Sequence, residues 1–430
     1  MSFSHNTFKE DIMAVSGFGR QSGRKISCYE ELDANAGVYR QEGTHGNKLL
    51  RDYTCRLMQE LGLEIKVDRV GNLFGRREGR YPSKKTIMTG SHLDSVANGG
   101  FLDGALGIFA ALEALRRLDK EEYVNQHPLE IVAFTGEEGS TFGRTLLGSS
   151  VLVGETPPET ALQMINADGV SLEKVLQDVG YCGSYNRGLD DVGYFVELHI
   201  EQGPVLYNAK ASIGIVENIS GILWLTVEIR GEENHAGTTP MGSRSDALVA
   251  AAEIVRFVRD SAASMAEQKG NSTVATVGEL DVFPNQKNVI PRCVKLVIDI
   301  RDGTQKNIDT LKHKIQTHFL ELEAEFGVKI FSSEMFHDPP VKLSSDVVSV
   351  INDASLKESI FSIKLNSGAV HDSQNMAKRL KTGMIFVPSV KGLSHSPLEW
   401  TDWEDIESGV KILTRTLILL DKTEDLVPGI

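Results

Sequence analysis

The sequence predicts an α/β protein in which a smaller α+β domain interrupts the main domain. Strand-like and helix-like patterns alternate over most of the 430 residues, which is typical of helices layered on a mainly parallel sheet. Between residues 213 and 335 the order changes to β-α-β-β-α-β, the order of a ferredoxin-like unit. We therefore expect a discontinuous main domain, residues 1–212 and 336–430, with an insert at 213–335.

Apolar periodicity and turn residues place the individual elements. A helix is expected where apolar residues recur every three to four positions, and a strand where a short apolar run ends at turn-forming residues. In the first part of the main domain these are a helix at 48–61, strands at 63–67, 73–74 and 85–91, a helix at 104–118, and strands at 129–135 and 195–200. In the insert they are a strand at 223–230, a helix at 245–265, strands at 273–280 and 293–301, a helix at 307–326 and a strand at 328–332.

The composition limits the partners and the compartment. Lys and Arg number 45 against 59 Asp and Glu, a formal net charge of -14, so we expect neither nucleic acid nor an anionic membrane as a partner. Four cysteines are spread along the chain without a C-x-x-C pair, and the first six residues lack the pattern of a signal peptide. No apolar segment approaches the about 20 residues that a membrane span needs. These observations predict a cytoplasmic protein.

A glycine-rich segment after the strand at 85–91 carries one histidine and two acids. His92 and Asp94 are two residues apart on an extended segment and share a face, so the Asp94 carboxylate can accept the second ring N–H of a metal-bound His92. A hydrogen-bonded surface pair is the alternative. Asp103 stands just before the helix at 104–118, and its alternative role is the N-cap of that helix.

Two adjacent acids follow the next buried strand. Glu137 and Glu138 lie between Gly136 and Gly139. Neighbouring carboxylates repel each other unless a cation lies nearby. Because adjacent side chains point apart, one acid can bind a metal while the other faces a water, which is the division that metal-assisted hydrolysis requires. A solvated acidic turn is the alternative.

Two further histidines complete the candidates. His199 lies at the end of a predicted strand, and His395 lies in a polar loop near the end of the chain. Each alone is better explained as a structural histidine. Together with His92, Asp103 and Glu138 they form a mixed set of imidazoles and carboxylates, which suits zinc, manganese or cobalt.

These motifs resemble the M20-type family of zinc-dependent aminoacylases and carboxypeptidase-like amidohydrolases. Within it they are most similar to the branch of N-carbamoyl-L-amino-acid amidohydrolases, β-ureidopropionases and allantoate amidohydrolases. The resemblance extends from about residue 47 to 419, and its most specific segments are 90–104, 134–139, 195–203, 234–242 and 392–397. It implies a zinc-peptidase-like catalytic domain with an inserted ferredoxin-like dimerisation or lid domain.

The resemblance also implies two divalent metal ions per subunit, zinc or else manganese or cobalt. It implies that the Asp103 carboxylate bridges the two metals. His92 and His199 would complete one coordination sphere, and Glu138 and His395 the other. Glu137 would be the general base, and Asp94 the partner of His92. The peptidase branch usually has a carboxylate where this chain has His199. With one carboxylate fewer the site is more positive, which favours attack on a poorly electrophilic ureido carbonyl.

A second set of residues in the insert is implied in the same way. His235 would reach the active site of a partner subunit in a homodimer and stabilise the tetrahedral oxyanion. Asn288 and Arg301 would hold the substrate, Arg301 through a two-pronged contact with its carboxylate. Gln202 is a further substrate-binding candidate. For Arg301, a salt bridge with a neighbouring aspartate is the alternative.

Two positions depart from the family pattern. Thr141 stands where the family usually has an arginine, in Glu-Glu-Gly-x-Arg-Phe, and Val370 stands where it has a glycine, in Ser-Gly-Ala-Gly-His-Asp. Arg144 is a candidate substitute for the arginine. Both departures bear on the substrate more than on the reaction.

The leading hypothesis is hydrolysis of the carbamoyl C–N bond of N-carbamoyl-L-amino acids or a close ureido acid, with release of ammonia, carbon dioxide and the amino acid. Allantoate amidohydrolase or β-ureidopropionase activity is the first alternative, and a dipeptidase or aminoacylase is the second. A catalytically dead binding module is disfavoured, because the chain keeps the whole ligand set and Glu137.

Overall fold

The computed structural model describes residues 5–267 and 272–423, and the chain divides into two compact units. The first unit holds the chain up to Glu217, then Leu343–Leu365 and the chain from His371; the second holds Asn218–Lys342 and Asn366–Val370. The second unit thus occupies much the same part of the chain as the predicted insert, and adds a short return segment. Residues 1–4, from which we expect no signal peptide, lie outside the described residues. Within the described ranges no helix is both long and apolar enough to span a membrane.

The regular elements are numbered in chain order. The helices are α1 (His5–Gly17), α2 (His45–Glu60), α3 (Ala105–Lys120), α4 (Leu147–Leu152), α5 (Pro158–Leu162), α6 (Leu172–Val179), α7 (Val205–Ala209), α8 (Ala247–Ala266), α9 (Gln305–Phe326), α10 (Ser345–Glu358), α11 (Asp372–Met376) and α12 (Trp403–Asp421). The strands are β1 (Glu64–Val67), β2 (Leu73–Arg77), β3 (Thr86–His92), β4 (Leu129–Phe134), β5 (Val192–Ile200), β6 (Ile213–Ile219), β7 (Gly221–Arg230), β8 (Asn234–His235), β9 (Val274–Phe283), β10 (Val289–Ile290), β11 (Cys293–Asp302), β12 (Lys329–Asp338), β13 (Val341–Lys342), β14 (Ser362–Ser367) and β15 (Lys381–Val387).

The large sheet has parallel strands at its centre. Its nine strands run in the order β1-β2-β4-β3-β5-β15-β6-β13, with β14 beside β6. Strands β4, β3, β5 and β15 are mutually parallel, whereas the flanking pairs are antiparallel. Every residue of β3 and β4 is buried, as expected for central strands covered on both faces. The predicted α/β fold class is confirmed.

The parallel arrangement brings several chain segments to one edge of the sheet. Strand β3 ends at His92, which pairs in register with Phe134 at the end of β4. His199 is the penultimate residue of β5. Because the carboxyl ends of parallel strands meet at the same edge, the loops that follow these strands form one site there.

The second unit has its own sheet and core. Its four strands are antiparallel in the order β12-β7-β11-β9, and the chain order β7-α8-β9-β11-α9-β12 is the predicted ferredoxin-like order. Alternate residues of β7 pack with α8 and α9 in one core, so both helices cover the same face of the sheet. The short strands β8 and β10 form a separate ladder. Strand β12 continues to Asp338, beyond the predicted end at residue 332.

Candidate metal centre

Five ligand-type side chains converge at the carboxyl edge of the large sheet. The Nε2 atoms of His92 and His199 lie 3.3 and 3.2 Å from Oδ1 of Asp103. The Nε2 atom of His395 lies 3.3 Å from Oδ2 of Asp103 and 3.2 Å from Oε2 of Glu138. Asp103 therefore belongs to two groups of ligand-type atoms, one through each oxygen of its carboxylate.

Asp103 is positioned by the close approach of the Gly104 backbone to the His92 ring. The next residue, Gly104, has φ +63°, and a Cβ built on it would lie 2.4 Å from the His92 ring. Only glycine fits this conformation and this spacing. Gly104 is also the N-cap of α3 and makes no side-chain capping bond, so the alternative role of Asp103 as the N-cap is wrong.

The turn that carries Glu137 and Glu138 is held by hydrogen bonds to two carboxylates. The N–H groups of Glu137 and Glu138 donate to Oδ1 and Oδ2 of Asp94 at 3.2 and 3.1 Å. The N–H of Gly136 donates to Oε1 of Glu42 at 3.1 Å. Glu137 is only 6% exposed, so the alternative of a solvated acidic turn is wrong.

Both buried histidines turn the same nitrogen toward Asp103. The Nδ1 atom of His92 lies 3.1 Å from the backbone oxygen of Asp94, closer than the 3.6 Å to its carboxylate. The Nδ1 atom of His199 lies 2.8 Å from the backbone oxygen of Ile200. Each Nδ1–H thus donates to a carbonyl, which leaves Nε2 of both rings to face Asp103. In this arrangement the Asp94 carboxylate mainly holds the acidic turn, and its backbone oxygen orients His92.

The electrostatics of the cluster favour positive charge at its centre. Burial disfavours a charged His92 ring, but Glu137, Asp103 and Asp94 outweigh it and hold its pKa well above the usual value. Hydrogen bonds to Asp103 and Glu138 raise the pKa of His395 to about 11. Burial alone would raise the pKa of Asp103, yet its three imidazole partners hold it well below the usual value. Burial chiefly raises the pKa of Glu137 well above normal.

These residues fit a divalent metal. Oε1 of Glu138 and Oε1 of Gln202 are buried and have no hydrogen-bond partner in the described part of the chain. Imidazole nitrogens and carboxylate oxygens are the donors that zinc, manganese and cobalt accept. The fit includes all five sequence-predicted ligands, and their roles as ligands stay predictions.

A third group of ligand-type atoms supports His199. Glu197, His199 and His371 are buried together, and the rings of His199 and His371 lie edge to face with centroids 4.6 Å apart. Both Glu197 oxygens already accept hydrogen bonds, from Ser91 and from Ser373. This group shares His199 with the first one and is better explained as its structural support.

Gln202 lies beside the second group. Its Nε2 donates to Oδ2 of Asp103 at 2.7 Å and lies 3.4 Å from Nε2 of His395. Both Gln202 and His395 have positive φ, +59° and +52°, in a region that non-glycine residues rarely adopt. Such backbone strain is concentrated at functional sites.

The second unit brings two of the predicted residues together. His235 in β8 pairs with Val289 in β10, and the N–H of Ala236 donates to the backbone oxygen of Asn288 at 3.0 Å. Nδ1 of His235 accepts the N–H groups of Gly237 and Thr238 at 3.0 and 3.2 Å. The neutral ring therefore carries its proton on Nε2, where it is a hydrogen-bond donor.

Arg301 lies elsewhere in the second unit and has a partner. Its Nε and Nη2 donate to the Asp299 carboxylate at 3.0 and 2.9 Å, which is the salt bridge considered as its alternative. Asp299 also accepts the indole N–H of Trp224. Because Arg301 has a further nitrogen, Nη1, this bridge does not occupy the whole guanidinium, and substrate binding by Arg301 stays a prediction.

The departures from the family pattern lie on two different segments. Thr141 lines a small cavity next to Asp94 and Glu42, and its hydroxyl is buried without a partner in the described part of the chain. Arg144 lines the same cavity, whereas Val370 belongs to the return segment of the second unit.

Sequence reasoning missed the residues that support the ligand-type side chains. Glu42, Arg51 and Glu399 are fully or almost fully buried and bind the backbone or side chains of the site loops. An acid two residues after Pro397, in an apolar setting, was the one sequence signal for Glu399. No sequence signal pointed to Glu42.

The fold and the site together define a class. A parallel-centred sheet carries a shared carboxylate, two groups of imidazole and carboxylate donors, and a further buried acid, Glu137, beside them. This is the arrangement of a metal-dependent hydrolase.

Comparison with known proteins gives the family. The model of peptidase family M20/M25/M40 matches residues 88–419, and the chain belongs to this family. The N-carbamoyl-L-amino acid amidohydrolase of Geobacillus stearothermophilus is 38% identical over 91% of this chain and 95% of its own length. The allantoate amidohydrolase of Escherichia coli is 34% identical over 84% and 88%. Among solved structures, an amidase of the hydantoinase/carbamoylase family from Burkholderia multivorans is similar with a TM-score of 0.88 and 31% identity, covering 97% of each chain.

Proposed function

We propose that the protein is a metal-dependent amidohydrolase that cleaves the ureido C–N bond of N-carbamoyl-L-amino acids or a close ureido acid. The observation that carries the proposal is Asp103, whose two carboxylate oxygens face separate groups, one with two imidazoles and one with an imidazole and a carboxylate. The 38% identity to an N-carbamoyl-L-amino acid amidohydrolase over 91% of the chain supports the substrate class.

We propose that two divalent ions would be held here, one by His92 and His199 and the other by Glu138 and His395, with Asp103 shared between them. When bound, such ions lower the pKa of an attacking water and polarise the ureido carbonyl. The donor set is compatible with zinc, manganese or cobalt.

Glu137 moves the protons of the reaction. Its carboxylate lies 3.8 Å from Nε2 of His92, beside the first group but not within it. The water oxygen bonds to the carbamoyl carbon while Glu137 takes its proton. The C–N bond then breaks, Glu137 returns the proton to the leaving nitrogen, and carbamic acid decomposes to ammonia and carbon dioxide. Burial raises the pKa of Glu137, which suits a group that must both accept and hold a proton.

Residues of the second unit are proposed to act on the substrate. The Nε2–H of His235, which comes from the partner subunit of a homodimer, is proposed to donate to the oxyanion. Asn288 and Arg301 are proposed to bind the substrate, with the guanidinium on its carboxylate. Gln202, which already contacts Asp103, is proposed to bind the substrate from the first unit.

Allantoate is the second candidate substrate. The 34% identity to the allantoate amidohydrolase supports it, and allantoate is also a ureido acid with a carboxylate. Thr141 and Val370 are the positions at which we expect the choice between these substrates to be made.

We propose a cytoplasmic location on the basis of the cysteines. All four lie within the described residues and are unpaired, which is usual for proteins of reducing compartments.

Removal of the metal tests the proposed function. Dialysis against a chelator should abolish ammonia release from N-carbamoyl amino acids, and zinc, manganese or cobalt should restore it. A panel of N-carbamoyl-L-amino acids, N-carbamoyl-β-alanine, allantoate and a dipeptide would rank the substrates. Full turnover by protein shown to be metal-free, or turnover of the dipeptide alone, would contradict the proposal.

A further inference from the structure

We infer that Glu399 is a positioning residue that joins the two loops carrying Asp103 and His395. The inference deepens the proposed function and rests on it, because it takes both of these residues to be metal ligands. Glu399 itself belongs to none of the groups of ligand-type atoms, and its carboxylate contacts the loops that carry them.

The Glu399 carboxylate binds both loops at once. It is 0% exposed. Its Oε1 accepts the N–H groups of Leu102 and Asp103 at 2.9 and 3.1 Å, and these donors lie 297 and 296 positions away in the chain. Its Oε2 lies 3.0 Å from the hydroxyl of Ser394, the residue before His395. One side chain thus links the loop of Asp103, which belongs to both groups, to the loop of His395, which belongs to the second group.

A second link runs in parallel. The Ser394 hydroxyl also lies 3.2 Å from Oδ2 of Asp103, the oxygen that faces His395. Asp103 is therefore held through its backbone N–H by Glu399 and approached at its carboxylate by Ser394. A rotation of the Asp103 carboxylate would break one of these contacts.

The residues around Glu399 allow its carboxylate to approach the loop of Asp103 closely. A Cβ on Gly100 would lie 2.1 Å from the Glu399 carboxylate, so the glycine-rich loop can approach it only because position 100 lacks a side chain. The guanidinium of Arg40 is also 0% exposed and donates to the backbone oxygen of Phe101 at 3.1 Å. Its positive charge attracts the carboxylates of Glu399 and Asp103.

The chain contains a matched control for a merely structural carboxylate. Asp421 is 2% exposed and likewise accepts two consecutive backbone N–H groups and a hydroxyl, from Gln126, His127 and Tyr123. None of these partners is a candidate ligand. A structural carboxylate and a positioning carboxylate can therefore be compared within one protein.

The experiment compares Glu399→Gln with Asp421→Asn. Zinc affinity is measured by competition with a chromogenic chelator, and unfolding temperature by calorimetry. Loss of a group that orients ligands typically weakens metal binding about 10–100-fold. We expect such a loss in Glu399→Gln, with activity recovered at excess zinc and KM unchanged. Asp421→Asn should lose thermal stability and keep the affinity of the wild type.

Three outcomes decide the question. Equal zinc affinity of Glu399→Gln and wild type, or an equal loss in Asp421→Asn, overturns the inference and leaves the proposed function standing. A wild-type protein that binds no zinc, manganese or cobalt overturns both. If Glu399→Gln does not fold, Ser394→Ala removes only the hydroxyl link and must show the same weakening for the inference to hold.

Discussion

Glu137 and Glu138 are neighbours in the sequence but differ in their surroundings. Oε2 of Glu138 lies 3.2 Å from His395 within a group of ligand-type atoms. Glu137 lies outside these groups, 3.8 Å from the nearer His92 nitrogen. The backbone N–H groups of both acids donate to Asp94, so the backbone of the turn is fixed, and the two side chains contact different histidines. The two residues therefore offer isosteric substitutions with different expected effects.

Glu137→Gln should keep the metal and lose turnover, whereas Glu138→Gln should lose the metal. If Glu137 is the general base that we propose, the first variant should be slower by about 100-fold or more, because an amide cannot accept the proton of the water. The second variant replaces a negative oxygen donor with a neutral amide. Metal content after dialysis, measured beside the steady-state rate, separates the two, and the reverse pattern would exchange their assigned roles.

The ligand-type residues could be predicted from the sequence, but their supports could not. Acids and histidines that directly follow buried strands are visible as short motifs, and the parallel sheet brings such motifs together, as it does for His92 and His199. Glu399 binds a loop almost 300 positions away, and nothing in its neighbourhood marks that contact. The role of Asp94 was only partly foreseen, because local spacing showed its nearness to His92 but not its bonds to the acidic turn.

At the scale of elements, helix α2 anchors the acidic turn through one side chain. Arg51 is 0% exposed and donates to Glu42 at 2.9 Å, and it also donates to the oxygens of Asn47, Gly71 and Thr135. Glu42 in turn accepts the N–H of Gly136. This chain of contacts links the helix, the turn between β1 and β2 and the end of β4.

Arg51→Met should therefore destabilise the protein by about 3–5 kcal/mol, because it leaves the Glu42 carboxylate buried without its partner. Turnover should also fall, since Gly136 is held by the same carboxylate. The matched control is Lys48→Met on the same helix, which breaks the exposed pair with Asp52 and should cost only about 0.3–0.5 kcal/mol. Urea unfolding measures both variants. Equal losses in the free energy of unfolding would show that the buried pair stabilises the protein no more than the exposed pair.

Element boundaries were predicted best where burial is continuous. Strands β3 and β4 are buried throughout, and each was placed within a residue at either end. Strand β12 runs six residues further than predicted, because its second half, from Ser333 to Asp338, is mostly exposed and polar and carries no alternating pattern. Its pairing with β7 extends it, and such a contact between distant segments has no local sequence signal.

At the scale of the whole molecule, Arg301 and His235 lie far apart within the second unit of a single chain. Strand β11 pairs with β7 from Cys293 against Arg230 to Arg301 against Ile222. At roughly 3.3 Å per residue, the two ends of this stretch are about 26 Å apart. The ladder of His235 lies at the Cys293 end, since β10 directly precedes β11. If both residues act at one active site, they must come from two different subunits.

Subunit mixing tests this shared site. Glu137→Gln and His235→Ala should each be inactive alone, but a heterodimer of the two has one site with both Glu137 and a partner's intact His235. Activity should therefore reappear after exchange, to at most about half of the wild-type value per heterodimer. Glu137→Gln mixed with His92→Ala is the matched control, because both changes fall in the same unit and every site then carries one of them. If mass measurement shows exchange and the first mixture stays inactive, His235 acts within its own chain or not at all.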